Sequence, residues 1–297
     1  MNLYILKYNM IYYICNCPKN IIIPINDIQA VKNYKKNKLL KLYNKKYIAD
    51  SQNFINGDNT IIPNEFPIIV RPKINLMGMG KDAYFIDNLS KFKKTNINNK
   101  FFWCEVFRGH HISVDIFFNN NDIQGYIAFR GKQGKLFTFK YWEYLRNYKI
   151  SNKIKKWIYK NLNSFCGVFN IELISDNIIE CHLRMGDINY FQSEQLTKCI
   201  IDCYNNKKIN IPYLPQIYLL PVFVEKGKYI RLKEEDIYKY VRETEVNNYI
   251  LNYFIDPPPE NNSNPAGGDR ICNFTITNLE KGFILRDYIL KSLHSFF

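Results

Sequence analysis

Residues Gly167 to Asp187 read GVFNIELISDNIIECHLRMGD. Two β-rich runs, Val168–Ile174 and Ile178–Leu183, flank the turn-forming Ser175-Asp176-Asn177, which predicts a hairpin. Side chains alternate faces along a strand. Asn170 and Glu172 therefore share one face with Val168, and Glu180, His182 and Arg184 share one face of the return strand. Ile171, Leu173, Ile179, Cys181 and Leu183 take the apolar face. Glu172 and Glu180 are equidistant from Asp176, so a symmetric turn sets the two carboxylates opposite each other. Facing carboxylates repel unless a cation lies between them, and oxygen ligands favour magnesium or manganese. A half-exposed amphipathic hairpin with scattered charge accounts for the same spacing.

Upstream, FPIIVRPKINLMGMGKDAYFI (66–86) contains a strand at Pro67–Val70, then Arg71-Pro72-Lys73, then the glycine loop Gly78-Met79-Gly80-Lys81, then another strand. A basic strand end followed by glycines suits polyphosphate, because backbone N–H groups can approach and Arg or Lys neutralises charge. The loop lacks the GxxxxGK[ST] spacing of a P-loop, and a basic hairpin with a glycine turn reads equally well. FFWCEVFRG (101–109) is a buried strand, and the following segment to Trp142 gives two or three antiparallel strands. Ser113, Asp115 and Phe117 alternate there with Val114 and Ile116. His110 and His111 point to opposite faces, cannot chelate one metal together, and are expected to be structural or nucleotide-lining.

Elsewhere, Asn26 or Asp27 caps a helix predicted to run to about Leu42, with Lys32, Lys35, Lys36, Lys38 and Lys41 on a solvated face. Residues 1–25 read as one or two short strands. Helical spacing covers Glu143 to about Asn163, with a break near Ser151, and Gln192–Tyr204. After Pro215 come strands at Gln216–Val224 and Tyr229–Leu232, a charged helix at Glu234–Glu245, a Pro/Asn-rich loop over 256–269, a strand at Ile271–Thr277 and a closing helix at Asn278–Leu293.

The 297 residues suffice for one large or two modest domains, and a net charge of +14 attracts polyanions. A basic nucleic-acid-binding surface is one reading of that charge. The eight cysteines lack zinc-finger spacing, so free thiols in a reducing, cytoplasmic compartment are expected. No stretch reads as a membrane span.

In order, these pieces resemble the ATP-grasp superfamily: a basic strand end and glycine loop, an apolar strand, a Gly-x-x-x-Ser-Val-Asp strand (109–115), a helix, then the Gly167-x-x-Asn170-x-Glu172 … Glu180-x-His182-x-Arg184 hairpin. Uncharacterised proteins of this type in large DNA viruses and phages are similar, which makes host cytoplasm or virion the corresponding setting. The resemblance covers about Phe66 to Tyr204. It implies an α+β fold in which two lobes with antiparallel sheets enclose a nucleotide cleft. Residues 1–60 form a shortened leading segment, 61–205 the core (61–105 the lid lobe, 106–205 the second lobe), and 206–297 a C-terminal α/β extension.

The resemblance also implies roles. Trp103, Cys104 and Glu105 line the hinge that meets adenine. Arg71, Lys73, Gly78, Gly80 and Lys81 contact phosphates. Glu172 and Glu180 hold magnesium, and His182 takes a position where Asn is usual. Arg184 stabilises the transferring phosphoryl group, with Arg130 and Lys140 from strands lining the same cleft. The implied activity is ATP- and magnesium-dependent ligation: a carboxylate attacks the γ-phosphate and an amine, thiol or other nucleophile then displaces phosphate. Arg71 for the usual Lys and the unusual His182 leave a second reading, a binding or structural protein that has lost the chemistry. Related folds often dimerise, so a homodimer is an allowed assembly.

Overall fold

The computed structural model describes residues 22–35, 38–76, 78, 80–186, 188, 191, 193–256, 258 and 267–294. The strands expected within 1–21 lie outside them. The described residues open with α1 (Asp27–Asn33), a 3-10 helix (Lys38–Tyr43) and α2 (Lys45–Ser51). The expected single helix is thus split into short pieces. Asn26 caps α1 by accepting from Gln29 N, and Asn44 caps α2 by accepting from Lys46 N and Tyr47 N.

A small sheet follows, in the order β1-β4-β2-β3, from β1 (Asn56–Gly57), β2 (Ile68–Pro72), β3 (Tyr84–Ile86) and β4 (Phe101–Glu105), with α3 (Leu89–Lys94) beside it. Ile68, Val70, Ile86, Phe92, Ile97 and Trp103 form its core. Gly57 allows a close approach: a Cβ there would sit 2.8 Å from the Trp103 ring.

The larger sheet has the order β11-β12-β10-β7-β6-β5-β8-β9, every neighbour antiparallel. Its central strands are β5 (His111–Asn119), β6 (Asp122–Gln133), β7 (Phe139–Tyr144), β8 (Gly167–Ile174) and β9 (Asn177–His182). The helices α4 (Asn152–Leu162) and α5 (Glu194–Tyr204) cover opposite faces: Ile154, Trp157 and Ile158 of α4 pack with Val114, Ile116 and Ile171, whereas Leu196, Ile200 and Cys203 of α5 pack with Phe117, Phe129 and Val168. Residues Glu143 to Tyr144, expected as helix, belong to β7, and the helix begins only after the Ser151 cap.

Residues beyond 205 continue this sheet. The strand β10 (Tyr218–Val224) pairs with β7, then with β12 (Asp269–Ile276), which pairs with β11 (Ile250–Ile255). Helices α6 (Glu234–Glu243) and α7 (Leu279–His294) close a third core around Val222, Ile237, Phe274 and Leu285. Tyr229–Leu232, expected as strand, is irregular, and β11 was not anticipated. Among the described residues, no helix is long and apolar enough to cross a membrane.

The edge strand β9 is covered by the N-terminal pieces. Gln52 Nε2 donates to Ile178 O at 2.8 Å and Gln52 Oε1 accepts from Ile178 N at 3.0 Å, an amide replacing a neighbouring strand. Arg71 Nη2 donates to Ile179 O, and Leu183 N to Tyr43 Oη. An exposed edge invites pairing with another chain, and these side chains fill it.

Candidate active site

The β8–β9 hairpin turns through two residues, Ser175 and Asp176, both at positive φ (46° and 61°). Ile174 opposes Asn177 and Leu173 opposes Ile178, a register that alone would set Glu172 against Ile179. A bulge between Glu172 and Leu173 absorbs one residue, and Glu172 meets Glu180. The expected opposition is therefore present, but Ile179 is displaced to produce it. Ile178, fully buried, takes the core position expected for Ile179.

Cross-strand neighbours share a face. One row is Phe129, Ser113, Glu172, Glu180; the next is Ile127, Asp115, Asn170, His182. Asn170 Nδ2 donates to Ser113 Oγ at 3.0 Å and Asp115 Oδ1 at 3.1 Å. Asp115, buried, also accepts from Gly186 N and Ile188 N, which fixes the chain leaving β9.

Glu172, Glu180 and Asp27 each meet a basic side chain of this chain. Glu172 Oε2 lies 2.9 Å from His111 Nε2. Glu180 Oε1 accepts from Lys45 Nζ, and Arg71 Nη2 stands 3.8 Å from the same oxygen. Asp27 Oδ1 meets His182 Nδ1 at 3.1 Å, and Asp27 Oδ2 meets Arg184 Nη2 at 3.0 Å. Burial raises the Glu180 carboxyl, but Lys45, His182 and Arg71 outweigh it and hold the group well below the usual range. Burial likewise opposes ionisation of Asp27, yet His182 and Arg184 keep it low. Burial and Arg184 push His182 down, while Asp27 and Glu180 raise it further, to about 9. The cluster sets the basic side chains Lys45, Arg71, His182 and Arg184 against the carboxylates Asp27, Glu172 and Glu180, with the buried Asp115 one row on acting on Arg184.

Glu172, Glu180 and His182 have ligand atoms within 4.8 Å of one another. Glu172 Oε1 and Glu180 Oε2 carry no cation closer than His182 Nε2, at 4.0 and 3.4 Å. Two converging carboxylate oxygens fit a hard divalent ion that keeps waters and phosphate oxygens as its other ligands. His182 fits such an ion poorly: its Nδ1 is committed to Asp27, and as an imidazolium it suits anionic oxygen.

Sequence reasoning missed Asp27 and Lys45 at this site and gave His111 only as structural or nucleotide-lining. Lys45 and Asp27 come from helical segments more than 130 residues distant in sequence from their hairpin partners, which no local pattern reveals. His111 was legible, because it alternates with Ile112 on the face of Ser113 and Asp115.

Several expected residues lie elsewhere. Arg130 is on the opposite face from Glu172, cross-strand from Ile112 and Glu143, and pairs with Glu143 Oε2 at 2.6 Å. Even-numbered β6 residues face α4, so the strand cannot bring it to the cleft. Lys140 is exposed at a bulge of β7. Lys73 turns outward to Asn99 O at 2.7 Å. In the hinge, Trp103 is buried, its indole N–H donating to Asp58 O and Ile61 O, and burial pushes the Cys104 thiol up to about 12. Glu105 Oε1 accepts from Ile55 N, which ties the hinge to the strand before it. Arg71 remains at the site, its buried Nε without a hydrogen-bond partner among the described residues. Gly78 and Gly80 adopt positive φ (69° and 65°), and the loop leans on Phe137, which also stacks on Phe85 at 5.6 Å and 7°. Lys81 N donates to Gly78 O within that loop.

No protein-family model and no curated protein sequence matches the chain. Solved structures do. N5-carboxyaminoimidazole synthase from Aspergillus clavatus, in complex with ADP and 5-aminoimidazole ribonucleotide, matches at a TM-score of 0.57 and 12% identity over 90% of this chain and 80% of that one. L-amino acid ligase from Bacillus licheniformis matches at 0.57 and 10% identity over 86% and 71%. Phosphoribosylglycinamide synthetase from Anaerococcus prevotii matches at 0.51 and 14% identity over 89% and 78%. The chain has the ATP-grasp fold.

Proposed function

We propose that this protein is an ATP- and magnesium-dependent ligase that activates a carboxylate as an acyl phosphate and transfers it to an amine or similar nucleophile. The observation that carries this reading is the convergence of Glu172 Oε1 and Glu180 Oε2 beside Lys45, Arg71, His182 and Arg184. Magnesium, held by Glu172 and Glu180, would supply charge neutralisation for the γ-phosphate. Arg71, with its Nε unengaged, binds a phosphate oxygen. Arg184, oriented by Asp27, faces the charge that develops on the transferring group. The Gly78–Gly80 loop, anchored at Phe137, limits water access. No side chain forms a covalent intermediate; the carboxylate oxygen attacks phosphorus, ADP leaves, and the incoming nucleophile expels phosphate from the acyl carbon as it loses its proton.

Thermal shift with ATP, with and without magnesium, tests this on wild type and on Glu172→Ala/Glu180→Ala. The reading expects ATP with magnesium to raise the wild-type melting temperature and the double variant to lose most of that gain. No stabilisation of either protein would refute it. A second reading, a nucleotide-binding protein without turnover, is favoured by the saturation of Glu180 by Lys45 and by the absence of Lys73, Arg130 and Lys140 from the site. It expects the same stabilisation but no ADP when candidate carboxylates and amines are supplied.

A further inference from the structure

One row of the large sheet leads away from the acidic pair along an aromatic wall. His111, whose Nε2 lies 2.9 Å from Glu172 Oε2, is cross-strand from Gly131, Gly131 from Trp142, and Trp142 from Leu219. Cross-strand neighbours share a face, so the wall stands on the face of Glu172 and Glu180. Gly131 makes room for it: a Cβ there would sit 2.6 Å from the Phe139 ring and 3.0 Å from Trp142. The Phe139 and Trp142 rings are 4.2 Å apart, and His111 stands edge-on to both, at 5.0 and 5.5 Å. A tryptophan of the core covers its ring and pairs its N–H. Trp103 and Trp157 do both, donating to Asp58 O and to Ser51 Oγ. Trp142 does neither: its side chain is half-buried, like Phe139, and its indole N–H has no hydrogen-bond partner among the described residues. At the outer end, toward the glycine loop, Leu136 is 61% and Phe85 39% exposed. The connecting segment carries Lys132, Lys135 and Lys140 and no acidic residue.

We infer that this wall receives the body of the substrate, and that the substrate is a carboxylic acid with an aromatic body. This rests on the ligase reading and names its substrate class. One end of the wall is a single side chain from Glu172, beside which that reading puts the reacting carboxylate. The body then runs over Phe139 and Trp142, whose open ring surfaces stack on it or meet it edge-on. Covering them takes apolar surface out of water, and the Trp142 N–H is left to donate to a substituent on the body. Beyond His111 the row Gly131, Trp142, Leu219 holds no carboxylate, so an ammonium on the body would be desolvated without a partner. The three lysines at the entrance favour an anion over a cation.

Equilibrium dialysis of the full chain, with magnesium and β,γ-imido-ATP present, against 3-phenylpropanoate, 5-aminopentanoate and acetate tests it. Wild type is expected to hold 3-phenylpropanoate at least about tenfold more tightly than either other acid. Phe139→Ala should lose about tenfold for 3-phenylpropanoate while nucleotide retention is unchanged, and Phe139→Tyr should keep the wild-type affinity. Circular dichroism checks that each variant is folded. Should Phe139→Ala unfold, Phe139→Leu replaces it, with a loss of about fivefold because the volume stays and the ring goes. No binding of 3-phenylpropanoate, a preference for 5-aminopentanoate or acetate, or an unchanged affinity in the folded Phe139 variant each overturns the inference. So does loss of nucleotide rather than acid in that variant, which would put the adenine ring on the wall. Hydroxylamine with ATP and magnesium separates the inference from the ligase reading: its nitrogen attacks the acyl carbon of an acyl phosphate, phosphate leaves, and the nitrogen loses a proton to give a hydroxamate. Acid held on the wall without hydroxamate sinks the ligase reading alone, whereas hydroxamate formed as readily from acetate as from 3-phenylpropanoate sinks the substrate class alone.

Discussion

Asp27 Oδ1 lies 3.1 Å from His182 Nδ1, and both side chains are almost fully buried. The pair makes stability depend on pH with a definite sign. His182 is raised from 6.5 to about 9, so its stabilising contribution is complete below the unfolded value and is lost as pH climbs through the folded one. Asp27 is lowered, so its contribution is present above the unfolded carboxyl range and is lost in acid. Urea denaturation should show wild-type stability falling by up to roughly 3 kcal/mol between pH 6 and 9.5. In Asp27→Asn that alkaline slope should shrink, at a cost of about 3–5 kcal/mol at pH 6 for the orphaned cations. An alkaline slope equal in the two proteins would contradict the assignment.

Gly186 leaves β9 against the Asn170 amide. A Cβ there would lie 2.5 Å from Asn170 Nδ2, 2.8 Å from its Cγ and 3.1 Å from Asp115 Oδ1. Asn170 and Asp115 are hydrogen-bonded and buried, so neither can yield cheaply. Gly186→Ala should destabilise by about 1–3 kcal/mol in chemical denaturation. A neutral result would mean that the Asp115 clamp on Gly186 and Ile188 is looser than its geometry.

The hairpin was legible in sequence because its signals are local: alternating faces, turn-forming residues and two glutamates at matched spacing. The bulge was not, since its cause is tertiary. Ile178 gains full burial beside Leu173, and Ile179 O gains the Arg71 guanidinium from another sheet. Arg130 was misplaced for a related reason. Spacing shows that alternate β6 residues share a face, but only the register with β5 tells which face, and Ile112 rather than Ser113 is its neighbour. Lys45 carried no sequence signal at all: it sits in a lysine-rich stretch whose other members looked solvated, and burial depends on α2 lying along β9.

Gln52 caps the edge of β9 with both ends of its amide. In Gln52→Leu the Ile178 N–H and C=O lose these partners at a partly buried edge. A loss of about 1–3 kcal/mol is expected, along with faster hydrogen exchange at the Ile178 amide. Unchanged exchange there would show that this amide is not what protects the strand.

Phe137 holds a left-handed backbone (φ 64°), a costly conformation for a bulky residue, in the turn between β6 and β7. Its ring stacks on Phe85 of β3 and backs Gly80 of the glycine loop. The stack therefore ties the small sheet to the large one, close to where His111 packs edge-on against Phe139 and Trp142. A double-mutant cycle of Phe85→Ala and Phe137→Ala should return a coupling of about 0.5–1.5 kcal/mol. Phe137→Ala should also speed hydrogen exchange across residues 78–84 while leaving β8 and β9 protected, because the hairpin is held by Gln52, Arg71 and Tyr43 and not by this contact. Exchange rising equally in the hairpin would show that the two sheets open as one unit, and the Phe85–Phe137 contact would then not be a separate clasp on the loop.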